Sequence, residues 1–236
     1  MRRVLELIQS VVDAHPNDTF FNEFEPSLKT NLQKRAYYRA YNRAFLTLDE
    51  ESWQILKCKS IAHFCDHRDG QLKQGFFHQL NEAFAYEFLL REGFSCVQLI
   101  PERKKQKTPD ISYKHEGAQH YCEVKSIGIS NDEITKRHSG GYIDGSVYSQ
   151  LSDGFMRKID CALLKGLVQI CSQNSTGLVF IMVSFDDFVG DYHDVYKTQL
   201  IQFLRKYPQH DVFLKTKILG HKFIHKKSQV STRRTQ

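Results

Sequence analysis

The sequence feature that most constrains the fold is an almost unbroken apolar run, GLVFIMVSF, at residues Gly177–Phe185. The run has the length of a strand, and it lacks the alternation of polar and apolar residues that a half-exposed strand shows. A run of this kind is typical of a central strand that is covered on both faces. It therefore predicts an α/β architecture, in which helices pack against a sheet.

The segments around this run alternate between helical and extended patterns. Phe76–Arg91 contains no helix-breaking residue and is followed by Gly93, which suits the end of a helix. The other predicted elements are strands at Ser95–Ile100, Asp110–Tyr113, Gln119–Ile127 and Asp211–Ile218 and helices at Phe155–Cys171 and Tyr192–Lys206. The order α-β-β-β-α-β-α-β predicts a mixed central sheet with helices on both faces.

Residues 1–72 are predicted to be a helical N-terminal segment packed on the core. Helical spacing of apolar residues marks Val4–Val12, Ser27–Leu48 and Glu50–Phe64, and Asp49 suits the N-cap position of the last of these. The domain prediction is therefore a helical segment at 1–72, a core at 73–220 and a basic tail at 221–236.

Composition and charge narrow the classes of protein to which the chain can belong. Of the 236 residues, 41% are apolar, which is enough to fill a core, and no apolar run is long enough to span a bilayer. The six cysteines are scattered without a CxxC pair, and the N-terminus lacks the apolar region of a signal peptide. These features predict a cytoplasmic protein with no membrane partner. The net charge of +6 arises in Lys215–Gln236, which contains no acidic residue.

A candidate reactive site follows from three residues on two neighbouring strands. Asp110 follows Pro109 at the start of one strand, and Glu123 and Lys125 stand two residues apart on the next. Residues at i and i+2 of a strand project to the same face, so Glu123 and Lys125 project together. A hairpin that turns through His115–Ala118 is expected to bring Asp110 beside them.

Two carboxylates and an ammonium group at one place suit the hydrolysis of a phosphodiester. Mg²⁺ prefers oxygen ligands and takes one or two carboxylates while keeping several waters. The ion activates water and stabilises developing charge, and a nearby lysine can position the attacking water.

The string TPDISYKHEGAQHYCEVKS resembles the motif of the PD-(D/E)xK nuclease superfamily, with Pro109-Asp110 as the PD and Glu123-Val124-Lys125 as the (D/E)xK. The resemblance covers roughly residues 75–185 and implies a restriction-endonuclease-like αβββαβ core. It also implies a Mg²⁺-dependent deoxyribonuclease, most simply an endonuclease, in which Mn²⁺ can substitute. In such a site Asp110, Glu123 and the backbone carbonyl of Val124 hold the ion, while Lys125 positions the water.

The same superfamily often contributes a further acid from the first helix of the core, and the chain offers two. Glu82 stands eleven residues before Gly93, the spacing that is usual in the family, and is the choice that we favour as catalytic and metal-binding residue. Helical periodicity favours Glu87, because it falls among Leu80, Phe84 and other apolar residues, where a carboxylate requires a partner or a metal ion. The sequence leaves both open.

Contacts to nucleic acid are predicted from basic residues near this motif. The first group lies in the turn before Asp110 and consists of Arg103, Lys104, Lys105 and Lys107. Lys158 is predicted to add a contact from the helix at Phe155–Cys171, where Lys165 and Gln169 share its face. The polar, glycine-containing segment 128–154 is predicted to be a loop or lid over the substrate.

The sequence therefore predicts a metal-dependent nuclease that hydrolyses DNA, in restriction, defence, repair or a mobile element. Cutting of both strands would suggest a homodimer. The alternative is a catalytically inactive nucleic-acid-binding module on the same fold. A third interpretation is an unrelated α/β protein in which Glu123 and Lys125 form only a surface ion pair.

Overall fold

In a computed structural model of the chain, residues 1–67, 72–102, 108–128, 149–183, 192–216 and 223–226 are described. The fold is mixed α/β, and the chain divides into two compact units, Met1–Cys122 and Glu123–Gln236. The described helices are α1 (Arg2–Ala14), α2 (Phe24–Thr30), α3 (Leu32–Thr47), α4 (Glu50–Ala62), α5 (Gln74–Leu80), α6 (Glu82–Arg91), α7 (Asp153–Cys171) and α8 (His193–Leu204). The described strands are β1 (Ser95–Leu99), β2 (Ile111–His115), β3 (Ala118–Ile127), β4 (Gly177–Val183), β5 (Asp211–Lys215) and β6 (Phe223–Lys226).

The hairpin between β2 and β3 confirms the turn predicted at His115–Ala118. The two strands pair antiparallel from Ile111↔Cys122 to His115↔Ala118. Glu116 and Gly117, the two residues of the loop, have φ angles of 50° and 81°. A two-residue hairpin with positive φ at both positions matches the twist of its strands, and glycine adopts this conformation without strain. The hairpin therefore sets the register on which the motif residues depend.

The predicted helix Ser27–Leu48 is wrong in one respect, because it is broken at Asn31 into α2 and α3. Asn31 has an extended backbone, with φ −107° and ψ 101°, and its side chain accepts a hydrogen bond from the backbone N–H of Lys34 at 2.8 Å. Asparagine competes with the helix in this way, and it is favoured at an N-cap for the same reason. Asp49 caps α4 as predicted, accepting from the N–H of Ser52 at 2.7 Å.

The predicted helix Phe76–Arg91 is likewise divided, into α5 and α6. Asn81 stands between them with helical backbone angles, and its side-chain oxygen accepts a hydrogen bond from the buried hydroxyl of Tyr41 at 2.9 Å. Glu82 is therefore the first residue of α6 and not a residue in the middle of a longer helix. Gly93 follows the end of α6 with φ 84°, as its predicted position after the helix requires.

The core of the first unit fixes α4 firmly against its neighbours. Trp53 is 1% exposed, and its ring centroid lies 5.3 Å from that of Phe45 on α3. The indole N–H of Trp53 donates to Glu6 on α1 at 3.0 Å. Ser52 joins α4 to β1, since its hydroxyl oxygen accepts from the N–H of Leu99 at 3.1 Å. These contacts on three sides determine where the remaining side chains of α4 point.

In the second unit, β4 is the buried strand that its apolar sequence predicts. Leu178–Val183 are all buried, and β4 has β3 on one side and a parallel β5 on the other. The rings of Phe180 and Phe213 stack across β4 and β5 with their centroids 5.0 Å apart. Helix α7 packs on β4 and presents Gly166 to it, where an added Cβ would lie 2.9 Å from Val179 Cγ1.

The predicted basic tail at 221–236 is partly structured. Residues Phe223–Lys226 form β6, which pairs antiparallel with β5 from Val212↔Lys226 to Lys215↔Phe223. Among the helices that the structure describes, none combines the length and the apolar character needed to cross a membrane.

Candidate functional site

A buried charge cluster in the first unit contains two of the predicted site residues. Lys59 on α4 lies with its Nζ 2.5 Å from Glu82 Oε1 and 3.5 Å from Asp110 Oδ1. The side chains of Lys59 and Glu82 are 4% and 5% exposed, whereas that of Asp110 is 19% exposed. Helix α4, the start of α6 and the residue before β2 thus contribute one charged group each.

The electrostatics of this cluster follow from one ammonium group shared by two carboxyl groups. The pKa of Glu82 is raised to about 8, chiefly by burial and also by the charge of Asp110, because Lys59 only partly offsets these effects. Burial by itself lowers the pKa of Lys59, but the charges of Glu82 and Asp110 outweigh it and hold that pKa above its usual value. Lys59 is therefore charged at neutral pH.

Lys59 was not predicted from the sequence, although a signal for it exists. Ser52, Leu56 and Lys59 stand at i, i+4 and i+7 of α4, which places them on one face of the helix, and all three are buried. A lysine on the apolar face of an amphipathic helix requires a buried acidic partner. That requirement points to an acid elsewhere in the chain but does not identify it.

Glu87 occupies a different environment from Glu82. Its carboxylate accepts from Arg43 Nε on α3 at 3.0 Å, and the two side chains are 13% and 62% exposed. The apolar periodicity of the helix had favoured Glu87 as the buried acid, but the buried acid of α6 is Glu82, at 3% exposure. Glu82 is thus the helix acid that shares a lysine with Asp110.

Glu82 is expected to make the stability of the protein decline as the pH rises. Its pKa is raised from 4.5 to about 8, so between these values the folded state keeps a proton that the unfolded state has lost. The stabilisation is complete below pH 4.5 and is lost as the pH rises through 8. Urea unfolding at a series of pH values should show this decline in the wild type and a flatter profile in Glu82→Gln. Equal slopes in the two proteins would contradict the assignment.

A second charge cluster lies in the second unit and contains the other motif residues. Lys125 Nζ lies 2.5 Å from Glu123 Oε1 and 2.7 Å from Gln169 Oε1 on α7. The Glu123 side chain is 3% exposed and that of Lys125 is 23% exposed. The two residues therefore project to the same face of β3, as their spacing predicts, and Gln169 joins them from the helix.

The close approach of α7 determines how deeply Glu123 is buried. An added Cβ at Gly166 would lie 3.4 Å from Glu123 Cγ, as well as against Val179 on β4. The methylene groups of Glu123 thus pack against a helix backbone that carries no side chain at this position. Val124, whose carbonyl is a predicted ion ligand, lies between Glu123 and Lys125 on β3 and is half-buried.

Most of the predicted nucleic-acid contacts lie outside the described residues. This applies to Arg103, Lys104, Lys105 and Lys107, and to most of the predicted lid, at 129–148. Lys158 is described and half-buried on α7. Of the three residues predicted to share a face of this helix, Gln169 is the one with a bond to Lys125.

The donor groups of the motif suit a hard divalent cation. Asp110 and Glu123 are carboxylates, and the carbonyl of Val124 adds a neutral oxygen, which is the ligand chemistry that Mg²⁺ prefers. Within the described ranges, no group of three or more His, Cys, Asp and Glu side chains is arranged to hold a metal ion. A Mg²⁺ site needs fewer protein ligands, since the ion keeps several waters.

Comparison with known proteins adds no family assignment. The chain matches no protein-family model, no curated protein and no solved structure. The resemblance to the PD-(D/E)xK superfamily accordingly depends on the residues of this chain and on their local geometry.

Proposed function

We propose that this protein is a metal-dependent nuclease that hydrolyses DNA phosphodiester bonds. Under this proposal α6, β1, β2, β3, α7 and β4 correspond in order to the αβββαβ core of the restriction-endonuclease-like fold. The order of these elements along the chain supports the correspondence. The proposed activity is that of an endonuclease acting in restriction, defence, repair or a mobile element.

The observation that carries the proposal is the pairing of Glu123 and Lys125 on β3. A carboxylate that is 3% exposed has an ammonium group 2.5 Å away on the same strand face. The hairpin register adds to this, because Ile111, which follows Asp110, pairs with Cys122, which precedes Glu123. This is the local geometry that a PD and an (D/E)xK motif on consecutive strands require.

The proposed roles follow from the chemistry of each group. Asp110, Glu123 and the backbone carbonyl of Val124 would hold Mg²⁺ or Mn²⁺, which supplies Lewis-acid polarisation to water and phosphate. Lys125 would orient the attacking water and donate hydrogen bonds to the charge that develops on the phosphate. The water oxygen bonds to phosphorus as the bond from phosphorus to the 3′-oxygen breaks, so the products carry a 5′-phosphate and a 3′-hydroxyl.

The proposed partner is DNA, whose phosphates would be bound by basic residues around the site. The residues in this role are Arg103, Lys104, Lys105, Lys107 and Lys158. Such contacts make affinity fall steeply as the salt concentration rises. A homodimer would let two sites cut the two strands of a duplex.

A catalytically inactive nucleic-acid-binding module is the second candidate, and one observation favours it. Each motif carboxylate already has a lysine as its partner, because Lys59 contacts Asp110 and Lys125 contacts Glu123. An ammonium group can take the place of a cation beside a carboxylate. In this candidate the two lysines would make a metal ion unnecessary, and DNA binding would persist without cleavage.

Cleavage of a substrate panel distinguishes the two candidates. The panel contains linear duplex, supercoiled plasmid, single-stranded DNA, branched DNA and RNA, each with Mg²⁺, Mn²⁺ or EDTA. We expect cleavage of DNA that requires the metal ion and is lost in Asp110→Asn. Asp13→Asn, which changes an exposed aspartate on α1, is the matched control and should cut normally.

The other outcomes of this panel have definite meanings. Metal-independent binding of DNA without cleavage by any of the proteins would select the inactive module. Cleavage that survives Asp110→Asn would show that the reactive site is elsewhere. Cleavage of RNA alone would keep the chemistry and replace the proposed substrate.

A further inference from the structure

Lys59 is a buried ammonium group with two carboxyl partners. Its side chain is 4% exposed, and it contacts two carboxylates that come from α6 and from the residue before β2. Burying an ammonium group is costly unless partners compensate for the lost water. Glu82 Oε1, 2.5 Å away, bonds to this ammonium group, and the second contact, with Asp110, joins the same group to a residue of the motif.

Lys59, Glu82 and Asp110 differ in how far their side chains are exposed to solvent, and this difference indicates which of them supports the others. Glu82 is 5% exposed and bonded to Lys59, whereas Asp110 is 19% exposed. A group that meets a substrate or an ion needs such access, and a supporting group does not. Glu82 and Lys59 are therefore placed behind Asp110 as a buried layer that restricts its orientation.

We propose that Lys59 is a positioning residue for Asp110 and that Glu82 acts through Lys59 and not as an ion ligand. This inference rests on the proposed function, because it concerns the carboxylate that would hold the cation. Lys59 orients Asp110 Oδ1 and at the same time competes with a cation for that oxygen. Ion affinity is thus weakened while the geometry for hydrolysis is improved.

This pair of effects gives a signature that a purely structural role would not give. Two like charges a few ångströms apart repel strongly inside a protein, so removal of the Lys59 charge should tighten cation binding. Loss of the contact should also leave Asp110 less well aligned, and misalignment slows a reaction. A residue needed only for folding would, on removal, weaken binding and slow cleavage together.

The test compares the double variant Lys59→Met/Glu82→Gln with the single variant Glu82→Gln. Both proteins lack the Glu82 carboxylate, so they differ only at Lys59. Titration calorimetry with Mn²⁺ and without DNA measures the affinity, and cleavage at saturating Mg²⁺ measures turnover. We expect the double variant to bind Mn²⁺ about tenfold more tightly than Glu82→Gln. We expect its cleavage rate to be about tenfold lower.

The matched control removes a partly buried ion pair of α4. Lys57 Nζ lies 2.8 Å from Glu6 Oε1, and Lys57→Met/Glu6→Gln is compared with Glu6→Gln in the same two assays. Within the described part of the chain, neither Lys57 nor Glu6 contacts Asp110. The Mn²⁺ affinity should therefore be the same in these two proteins. A change of equal size there would overturn the role of Lys59.

The remaining outcomes separate this inference from the proposed function. Equal or weaker Mn²⁺ binding after removal of Lys59 overturns the inference alone, provided that the wild type binds Mn²⁺ more tightly than Asp110→Asn does. Tighter binding with unchanged turnover makes Lys59 only a competing cation and overturns the positioning role. If the wild type and Asp110→Asn bind Mn²⁺ equally, the proposed ion site itself is wrong.

Discussion

Lys125→Met is expected to lower the rate of DNA cleavage by about 10²–10⁴-fold. It also leaves the buried Glu123 without its lysine partner and so costs stability, and the rate is therefore compared under conditions in which the variant is folded. The ammonium group of Lys125 is bonded to the Glu123 carboxylate on the same strand and to the Gln169 amide oxygen on α7. Its side chain is 23% exposed, so a substrate can reach it. Methionine has similar length and fills the same space without the charge. The rate is measured with supercoiled plasmid at saturating Mg²⁺, and the fold by circular dichroism.

Two further variants make the result specific. Gln169→Ala removes one bond to Lys125 but not its charge, so we expect a smaller loss, of about tenfold. Lys114→Met changes an exposed lysine on β2 and should cut at the wild-type rate. If Lys125→Met and Lys114→Met cut equally fast, Lys125 has no part in the reaction.

Lys59→Met alone is expected to lower the free energy of unfolding by about 3–5 kcal/mol. The substitution leaves Glu82 without its partner at 3% exposure, next to the charge of Asp110. A buried carboxylate without a counter-ion must take up a proton or reach water, and either change has a cost. Urea unfolding at pH 8 measures the effect.

The double variant separates loss of the charge partner from loss of packing. Lys59→Met/Glu82→Gln removes both charges, and replacing a buried ion pair by neutral groups of similar volume is often nearly neutral. We therefore expect it to recover most of the stability that Lys59→Met loses. A double variant as unstable as the single one would mean that the aliphatic part of Lys59 contributes the stability.

The sequence predicts the hairpin of this site well because its determinants are local. Glu116 and Gly117 make the turn, and the period-2 pattern of the strands determines which side chains share a face. Strand β4 was predicted for the same reason, from a contiguous apolar run. The break at Asn31 was not predicted, although it too has a local cause, since the Asn31 side chain caps α3. The break at Asn81 was also missed, and the hydrogen bond that Asn81 accepts comes from Tyr41, which is distant in the sequence.

The Lys59 cluster could not be predicted in this way. It joins residues 59, 82 and 110, which lie far apart in the sequence, and its geometry depends on how α4 packs against α1, α3 and β1. Helical periodicity even favoured the other acid of α6, although Glu87 is less deeply buried than Glu82 and pairs with the exposed Arg43. The predictions for Arg103–Lys107 and for the lid stay predictions, because these residues lie outside the described ranges.

Gly166 affects whether the side chain of Gln169 can reach Lys125. With no Cβ at this position, the axis of α7 can lie closer to β4 than any other residue would allow, given the 2.9 Å that would separate a Cβ from Val179. Gln169 stands one turn further along the same helix, and its amide oxygen comes within 2.7 Å of Lys125 Nζ. A glutamine side chain has a fixed length, so the hydrogen bond to Lys125 depends on the absence of a methyl group three residues earlier.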